Sequence, residues 1–219
     1  MQRLWWAFLR LFFRLLYNEF AWTYDLVAGV VSLGQWTAWG RTAIPHLRGK
    51  RVLELAHGPG HLLVAMAERG LAPVGLDLSP HMGRLARRRL MRVEQAVPLV
   101  RAHAQALPFC DGCIDSVVAT FPTEFIVDAA TLREVARVLA DPEPATGRLG
   151  GRLVVVACAL LGGRDPLSRL IRWLYRITGQ GEPPPGFGQD VAVEAGFVPR
   201  TVWERVGRSD VMLIVADKR

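Results

Sequence analysis

A glycine turn after a short apolar run is the strongest chemical signal in this sequence of 219 residues. Residues 52–60 read Val-Leu-Glu-Leu-Ala-His-Gly-Pro-Gly. Because glycine lacks a Cβ and tolerates unusual φ values, Gly58 and Gly60 let a ligand approach the backbone closely. The dinucleotide pattern G-x-G-x-x-G requires a third glycine, where this sequence has Leu63. The turn therefore disfavours a dehydrogenase, and we expect a side chain at Gly60 to fill the ligand's space while the fold is retained.

An acidic residue follows at the spacing that adenosine binding requires. Asp77 ends the second apolar run and lies shortly after the glycine turn, close to the distance of about 20 residues at which a carboxylate binds the hydroxyls of an adenosine ribose. The two features together predict an adenosine ligand without a pyrophosphate.

The elements that position these residues alternate between short apolar runs and helical stretches, which is typical of βαβ units. Strands are predicted at residues 51–56, 73–78, 99–103, 114–120 and 151–159, and helices at residues 61–69, 80–91 and 129–139. Residues 197–204 and 211–216 are predicted to form an antiparallel hairpin. The pattern predicts an α/β fold, a Rossmann-like doubly wound, seven-stranded, mostly parallel sheet with an antiparallel last strand and an N-terminal helical cap.

The predicted domain organisation is simple. Residues 1–49 form an amphipathic helix and a helical cap, and residues 50–219 form one ligand-binding domain with an insert at about 160–190. In an open sheet of this kind the ligand binds at the carboxyl ends of the strands, where Gly58, Asp77 and Thr120 would meet.

Four motifs in order resemble the class I S-adenosylmethionine-dependent methyltransferases. They are Glu54-x-x-x-Gly58-x-Gly60, Gly75-Leu-Asp77-Leu-Ser79, Ala106-Leu-Pro-Phe109 and Asp115. The resemblance implies S-adenosylmethionine as cofactor, with its methionine part beside the glycines, its ribose on Asp77 and its sulfonium facing Thr120 and Phe121. The residues implied to bind the cofactor are Glu54, Ala56, His57, Gly58, Gly60, Asp77, Leu78, Met82, Ala104, Gln105, Thr120 and Phe121.

A second resemblance lies in front of this domain. Tyr24-Asp25, Ser32-x-Gly34 and Trp39 are similar to the entry segment of ubiquinone/menaquinone-biosynthesis methyltransferases, which implies a lipid-like substrate. Two departures matter: His103 stands where the family usually has an aspartate, and residues 120–125 differ from the quinone-type sequence. The substrate-pocket candidates are Tyr24, Trp36, Trp39 and Phe121, although aromatic residues at these spacings are more often part of the core.

Methyl transfer from this cofactor requires few catalytic side chains. A methyl sulfonium is attacked in line, so the enzyme must align the acceptor with the methyl group and exclude water. If the acceptor loses a proton, the candidate bases are Glu124, His57, His81 and His103, with Glu124 and His57 preferred. Each of these residues is also interpretable as an ordinary structural or surface residue.

The charge distribution suggests an anionic surface as a partner. The formal net charge is +7, and only Lys50 and Lys218 are lysines, so arginine dominates. Arg3, Arg10 and Arg14 share one face of an apolar segment that is too interrupted for a spanning helix. The pattern predicts an amphipathic helix that either lies on the inner face of a membrane or packs on the core or a second subunit.

Other features narrow the alternatives. The arginines at residues 84–92 follow helical spacing and indicate a solvated face, so nucleic acid is not the expected partner. Three cysteines fit a reducing cytoplasm, and Cys110-x-x-Cys113 is interpreted as a turn without a metal. The sequence predicts an enzyme that methylates a small apolar or lipid-like acceptor. An RNA or protein methyltransferase and a cofactor-binding protein without activity are the alternatives, and the oligomeric state stays open.

Overall fold

The computed structural model describes residues 29, 32–143, 145, 147, 149–162 and 188–219. The predicted amphipathic helix at the N-terminus and Tyr24 lie outside these residues.

Seven strands form a single mixed sheet in the described part of the chain. The spatial order is β3-β2-β1-β4-β5-β7-β6, in which the first five pair in parallel and β7 runs antiparallel to both neighbours. The strands are β1 (Arg51–Leu55), β2 (Ala72–Leu76), β3 (Leu99–Val100), β4 (Ser116–Thr120), β5 (Arg152–Leu161), β6 (Phe197–Val206) and β7 (Ser209–Lys218). The predicted fold class is confirmed.

Helices cover both faces of this sheet. They are α1 (Trp36–Arg41), α2 (His61–Ala67), α3 (Pro80–Arg92), α4 (Ala129–Val138) and α5 (Gln189–Glu194), with short 3-10 turns at Ile44–His46 and Glu124–Val127. The start of α3 is set by Ser79, whose hydroxyl accepts a hydrogen bond from the Met82 amide at 3.4 Å, and by Pro80 in the first turn.

Side chains of alternating strand residues pack into two separate apolar cores, one on each face of the sheet. Val52 and Val118 join one core with Trp39 of α1 and Leu63 and Met66 of α2. The second core lies on the opposite face and contains Leu53, Val117 and Leu153 together with residues of α4 and α5. Burial on both faces explains why the parallel strands read as continuous apolar runs.

The element boundaries differ from the predictions mainly at the sheet edges. The third strand was expected over residues 99–103, yet β3 holds two residues because it pairs with β2 alone before the chain turns away. The hairpin strands are longer than expected, because β7 pairs along its length with both β5 and β6. Within the described ranges, no helix has the length and apolar character needed to cross a bilayer.

Asp115 joins the amino ends of β1 and β4. Its carboxylate accepts hydrogen bonds from the backbone amides of Lys50 and Arg51 at 3.1 and 3.0 Å, and it forms an ion pair with the Arg51 guanidinium. The Arg51 hydrogen bonds lower the pKa of Asp115 despite its partial burial. A carboxylate whose pKa is lower in the folded state stabilises the fold above its unfolded pKa, and this contribution disappears as the pH falls through the folded pKa.

We expect Asp115→Asn to lower the free energy of unfolding at pH 7 by about 1–2 kcal/mol, because hydrogen bonds to a charged acceptor are replaced by weaker neutral ones. The difference from the wild type should shrink when the pH drops below about 4, where the carboxylate is protonated in the unfolded chain. Urea unfolding at both pH values measures it. Asp210→Asn is the control, since Asp210 pairs with Arg205 on the exposed hairpin and should change stability little. This role would be contradicted if the wild type and Asp115→Asn had the same free energy of unfolding at neutral pH, or if the difference between them grew in acid.

Candidate functional site

The candidate site lies where β1, β2 and β4 end on the same edge of the sheet. β1 is central, with β2 on one side and β4 on the other, so the strand order reverses direction between β1 and β4. Parallel strands leave a crevice at such a reversal, and ligands of open α/β sheets bind there. The residues that directly follow the three strands are therefore the ones to consider.

Asp77 couples the loops that follow β1 and β2. One carboxylate oxygen accepts a hydrogen bond from the Gly58 amide at 2.9 Å, and the other accepts one from the Ser79 amide at 2.8 Å. A carboxylate offers about four acceptor positions, so these two bonds leave capacity for two further donors. Two neighbouring hydroxyl groups match that capacity.

The two glycines of the turn have different reasons to be glycine. Gly58 has φ +54°, and a Cβ built there meets nothing within 4 Å. Gly60 has φ +80°, and its Cβ would lie 2.9 Å from the Cβ of Ala86 on α3. The expectation that a side chain at Gly60 fills ligand space without harm to the fold therefore changes. Gly60 is required for the close approach of α3, and Gly58 is the glycine that borders open space.

Glu54 is the one acidic side chain buried at the end of β1, with 1% of its surface exposed. Burial is the main cause that raises the pKa of its carboxyl group well above the ordinary value, and the nearby charge of Asp77 adds to it. Its Oε2 atom has no hydrogen-bond partner among the described residues. A buried polar atom without a partner is costly, so a ligand that donates a hydrogen bond at this point would be favoured.

His57 is also buried, and its Nδ1 atom lies 2.7 Å from the Gly58 carbonyl oxygen. Burial lowers the pKa of His57, an effect that the attraction of Asp77 only partly offsets. The imidazole is therefore neutral at pH 7. Because a carbonyl oxygen only accepts, we assign the proton to Nδ1, which leaves Nε2 as a proton acceptor.

A cleft of about 50 Å³ opens between this turn and α1. It is lined by Trp36, Thr37, Gly40, Glu54, Ala56, His57, Gly58, Pro59, His61, Leu62, Thr120 and Phe121. Seven of these were predicted as site residues, counting Trp36 as a pocket wall. Pro59, His61, Leu62, Thr37 and Gly40 were missed as site residues, although Thr37 and Gly40 have the i, i+3 spacing of one helix face with Trp36 and Trp39 nearby.

Aromatic rings form one wall of the cleft. The rings of Trp36 and Phe121 are 4.3 Å apart, and Trp39 contacts Phe121 edge-on at 6.2 Å. Trp39 is 1% exposed and belongs to the core, which favours the core interpretation for that residue. Phe121 and Ala56 adopt φ values of +48° and +51° directly after their strands. Such a conformation costs a residue with a Cβ roughly 1–2 kcal/mol, and strain of this kind concentrates at functional sites.

The other predicted cofactor residues lie beside the cleft rather than in its wall. Leu78 is 49% exposed at the end of β2, whereas Met82 is buried beneath the first turn of α3. Ala104 is nearly buried, and Gln105 forms a hydrogen bond with Asp128. These residues follow β2 and β3 and form the part of the edge that extends away from α1.

Two arginines hold the loops of the site. Arg89 was predicted on the solvated face of α3 but contacts the glycine turn instead, and Arg101 was not singled out from the sequence. Arg89 of α3 donates a hydrogen bond to the Pro59 carbonyl oxygen, and Arg101 donates one to the Leu78 carbonyl oxygen at 3.0 Å. No local pattern predicts either contact, since each joins residues more than twenty positions apart in the sequence.

Of the remaining candidate bases, Glu124 is exposed on the 3-10 turn after β4, outside the cleft lining. His81 lies on the outer side of α3, where its ring contacts Arg84 at 2.7 Å. His103 follows β3 and is likewise absent from the cleft lining. Among the proposed bases, the structure places His57 alone in the wall of the cleft.

Known proteins have sequences similar to part of this chain. A demethylmenaquinone methyltransferase from Thermus thermophilus is 37% identical over 147 residues, which cover 64% of this chain and 63% of that protein. One from Mycobacterium marinum is 37% identical over 157 residues, which cover 70% of this chain and 60% of that protein. The chain thus spans less than two thirds of the length of these relatives.

Solved structures agree on the fold. A geranyl diphosphate C-methyltransferase from Streptomyces coelicolor A3(2), in complex with Mg²⁺, geranyl diphosphate and S-adenosyl-L-homocysteine, has a TM-score of 0.62 at 16% identity and covers 84% of this chain and 79% of that one. A geranyl diphosphate methyltransferase in complex with S-adenosylmethionine has a TM-score of 0.60 at 16% identity and covers 84% of this chain and 85% of that one. At these identities the likeness concerns the fold alone.

A family model matches the part of the chain that contains the candidate site. Residues 52–142, which run from β1 through α4, match the model of a methyltransferase domain. This range contains the glycine turn, Asp77 and the strand end at Thr120. The resemblance drawn from the four sequence motifs is thereby confirmed for residues 52–142, the range that matches this family model.

Proposed function

We propose that this protein transfers the methyl group of S-adenosylmethionine to a small apolar or lipid-like acceptor. The observation that carries the proposal is the coupling of the β1 and β2 loops by Asp77 beside a cleft in which the buried Glu54 Oε2 has no partner among the described residues. The names of the relatives support the choice of acceptor, since they refer to demethylmenaquinone, and a structural neighbour holds geranyl diphosphate.

The residues present fit this cofactor. Asp77 has acceptor capacity for the two ribose hydroxyls, and Glu54 has an unsatisfied oxygen for the ammonium group of the methionine part. The open side of Gly58 gives the cofactor room near the backbone, and the exposed Leu78 offers an apolar surface to adenine. When bound, the cofactor supplies a methyl group on a positively charged sulfur.

The chain's own task is then alignment, exclusion of water and control of one proton. Trp36 and Phe121 give the cleft an aromatic wall that excludes water and suits an apolar acceptor. His57 is neutral and retains Nε2 as a proton acceptor, so it is the better candidate base than the exposed Glu124. Binding of the acceptor orients it towards the methyl group, which is the largest contribution expected of such an enzyme.

Peripheral association with an anionic membrane is also part of the proposal. It rests on the sequence pattern of residues 1–18, which lie outside the described residues, and on the excess of arginine. Three basic residues near an acidic surface contribute about 1 kcal/mol each. Co-sedimentation of the full chain with acidic but not neutral vesicles, reversed by salt, supports it, and binding indifferent to lipid charge refutes it.

Gly58→Ala and Gly70→Ala form a matched pair that tests where the cofactor lies. Both glycines have positive φ and open space at the Cβ position, so each variant loses about 1 kcal/mol of stability from backbone strain. Gly70 precedes β2 on the opposite edge of the sheet. We expect the dissociation constant for S-adenosylhomocysteine to rise about tenfold or more in Gly58→Ala, a change of 1.4 kcal/mol, and to stay unchanged in Gly70→Ala. Calorimetric titration measures both, and equal affinities would remove Gly58 from the site.

The activity itself is tested with methyl-labelled cofactor and a lipid extract of the source cells, followed by location of the label. We expect label in an apolar product, and transfer only to RNA or protein, or to nothing in any extract, would refute the proposal.

His57→Asn is the decisive variant in that assay. The asparagine amide retains donation to the Gly58 carbonyl but removes the proton acceptor at Nε2. Transfer should fall by about 10²–10⁴-fold while S-adenosylhomocysteine affinity is retained. Glu124→Gln is the control and should keep full activity. The reverse result would assign the base to Glu124.

A further inference from the structure

The pair Cys110 and Cys113 has no part in the site described above, and its geometry is distinctive. The two cysteines flank a turn formed by Asp111 and Gly112, and the nearby Cys110 thiol contributes to the pKa shift of Cys113. Cys110 is exposed and Cys113 is half-buried, whereas Cys158, the third cysteine, is buried in β5. Two thiols at the ends of one surface turn form a chemical group that is distinct from a single cysteine.

A turn of four residues is compatible with the geometry of a disulfide ring. The first and fourth residues of a β-turn have Cα atoms less than about 7 Å apart, which overlaps the range of roughly 4.4–6.8 Å found across disulfides. Gly112 has φ +64°, the left-handed conformation that the third position of several turn types requires. Formation of a disulfide bond between the two cysteines therefore requires little movement of the backbone.

Arg137 of α4 keeps the turn in this shape. Its backbone carbonyl accepts a hydrogen bond from the Gly112 amide at 3.0 Å, and its guanidinium donates to the Phe109 carbonyl at 2.8 Å and the Asp111 carboxylate at 2.6 Å. The segment on the N-terminal side of the turn and the turn itself are thus anchored to one helix. This anchoring reduces the loss of chain freedom that ring closure would otherwise require.

The surroundings of the two thiols also indicate which of them reacts first. Partial burial, followed by the nearby Cys110 thiol, raises the pKa of Cys113, so this thiol keeps its proton more strongly. Cys110 is the more accessible sulfur, and the Arg51 guanidinium lies close enough to both cysteines to interact with their charge. An attack by Cys110, with Cys113 as the resolving thiol, is the sequence of events that these differences favour.

We propose that Cys110 and Cys113 form a redox-active dithiol site that a low-molecular-weight disulfide such as oxidised glutathione converts to an intramolecular disulfide. In the first step the Cys110 thiolate bonds to one sulfur of oxidised glutathione, whose S–S bond breaks and releases one glutathione thiolate. In the second step Cys113 gives up its proton, bonds to the Cys110 sulfur and displaces the second glutathione. The two protein thiols are oxidised, and one glutathione disulfide is reduced to two glutathione molecules.

The test uses the full-length reduced protein in buffers with increasing ratios of oxidised to reduced glutathione. Free thiols are counted after unfolding in denaturant, and the cross-link is located by peptide mass. The chain contains three cysteines, so we expect the count to fall from three to one, with the Cys158 thiol still reduced and the chain monomeric in denaturing gels without reductant. Excess reductant should restore the count of three.

Variants separate the two roles. Cys113→Ser should stop at a stable glutathione adduct on Cys110, because the resolving thiol is missing, and Cys110→Ser should react at least about tenfold more slowly, since only the less accessible thiol remains. Cys158→Ala is the matched control and should form the same disulfide at the wild-type rate. Three thiols that persist in the wild type under oxidising buffer, a disulfide between two chains, or a Cys113→Ser variant without an adduct would each overturn the proposal. The thiol count on the wild type shows whether the disulfide forms, even if a variant fails to fold.

Discussion

The carboxylate of Asp77 accepts one hydrogen bond from the Gly58 amide and one from the Ser79 amide, and the rest of the site depends on this double contact. Parallel pairing sets Leu55 opposite Leu76, so the chain leaves both strands at the same level. The His57 amide continues the ladder by donating to the Leu76 carbonyl at 3.3 Å. Asp77 then fixes the glycine turn against the start of α3, and its unused acceptor positions face the edge where the ligand is proposed to bind.

Close packing below this edge explains the composition of the turn. A Cβ at Gly75 would lie 2.7 Å from the Leu63 side chain and 2.8 Å from the His57 ring, just as one at Gly60 would collide with α3. The backbone segments of the site are thus packed as closely as glycine allows at Gly60 and Gly75, whereas Gly58 faces open space. Ala56 and Phe121 hold strained φ values in the same layer. Such strain persists only where the surroundings over-determine the conformation, and here it orients the aromatic wall.

Sequence periodicity sufficed for the places of the strands, of α2, α3 and α4 and of Asp77, because burial on both faces and βα alternation are local signals. It did not predict the length of β7, which depends on pairing with two neighbours, or the role of Gly60, which depends on Ala86. The contacts of Arg89 and Arg101 with loop carbonyls join distant parts of the chain and leave no periodic trace. Trp39 was left open between pocket and core, and its burial became evident only once α1 was placed against the sheet.

The central claim is that the edge formed by Asp77, Gly58 and Glu54 holds S-adenosylmethionine rather than a dinucleotide. Calorimetric titration of the full chain with S-adenosylmethionine, S-adenosylhomocysteine and NAD tests it most directly. We expect both sulfur compounds to bind with similar affinity and at least about tenfold more tightly than NAD. The turn lacks the third glycine of the dinucleotide pattern, which disfavours NAD. The buried Glu54 oxygen without a partner among the described residues favours a ligand that carries an ammonium group. Tighter binding of NAD, or no binding of either sulfur compound by the folded protein, would contradict it.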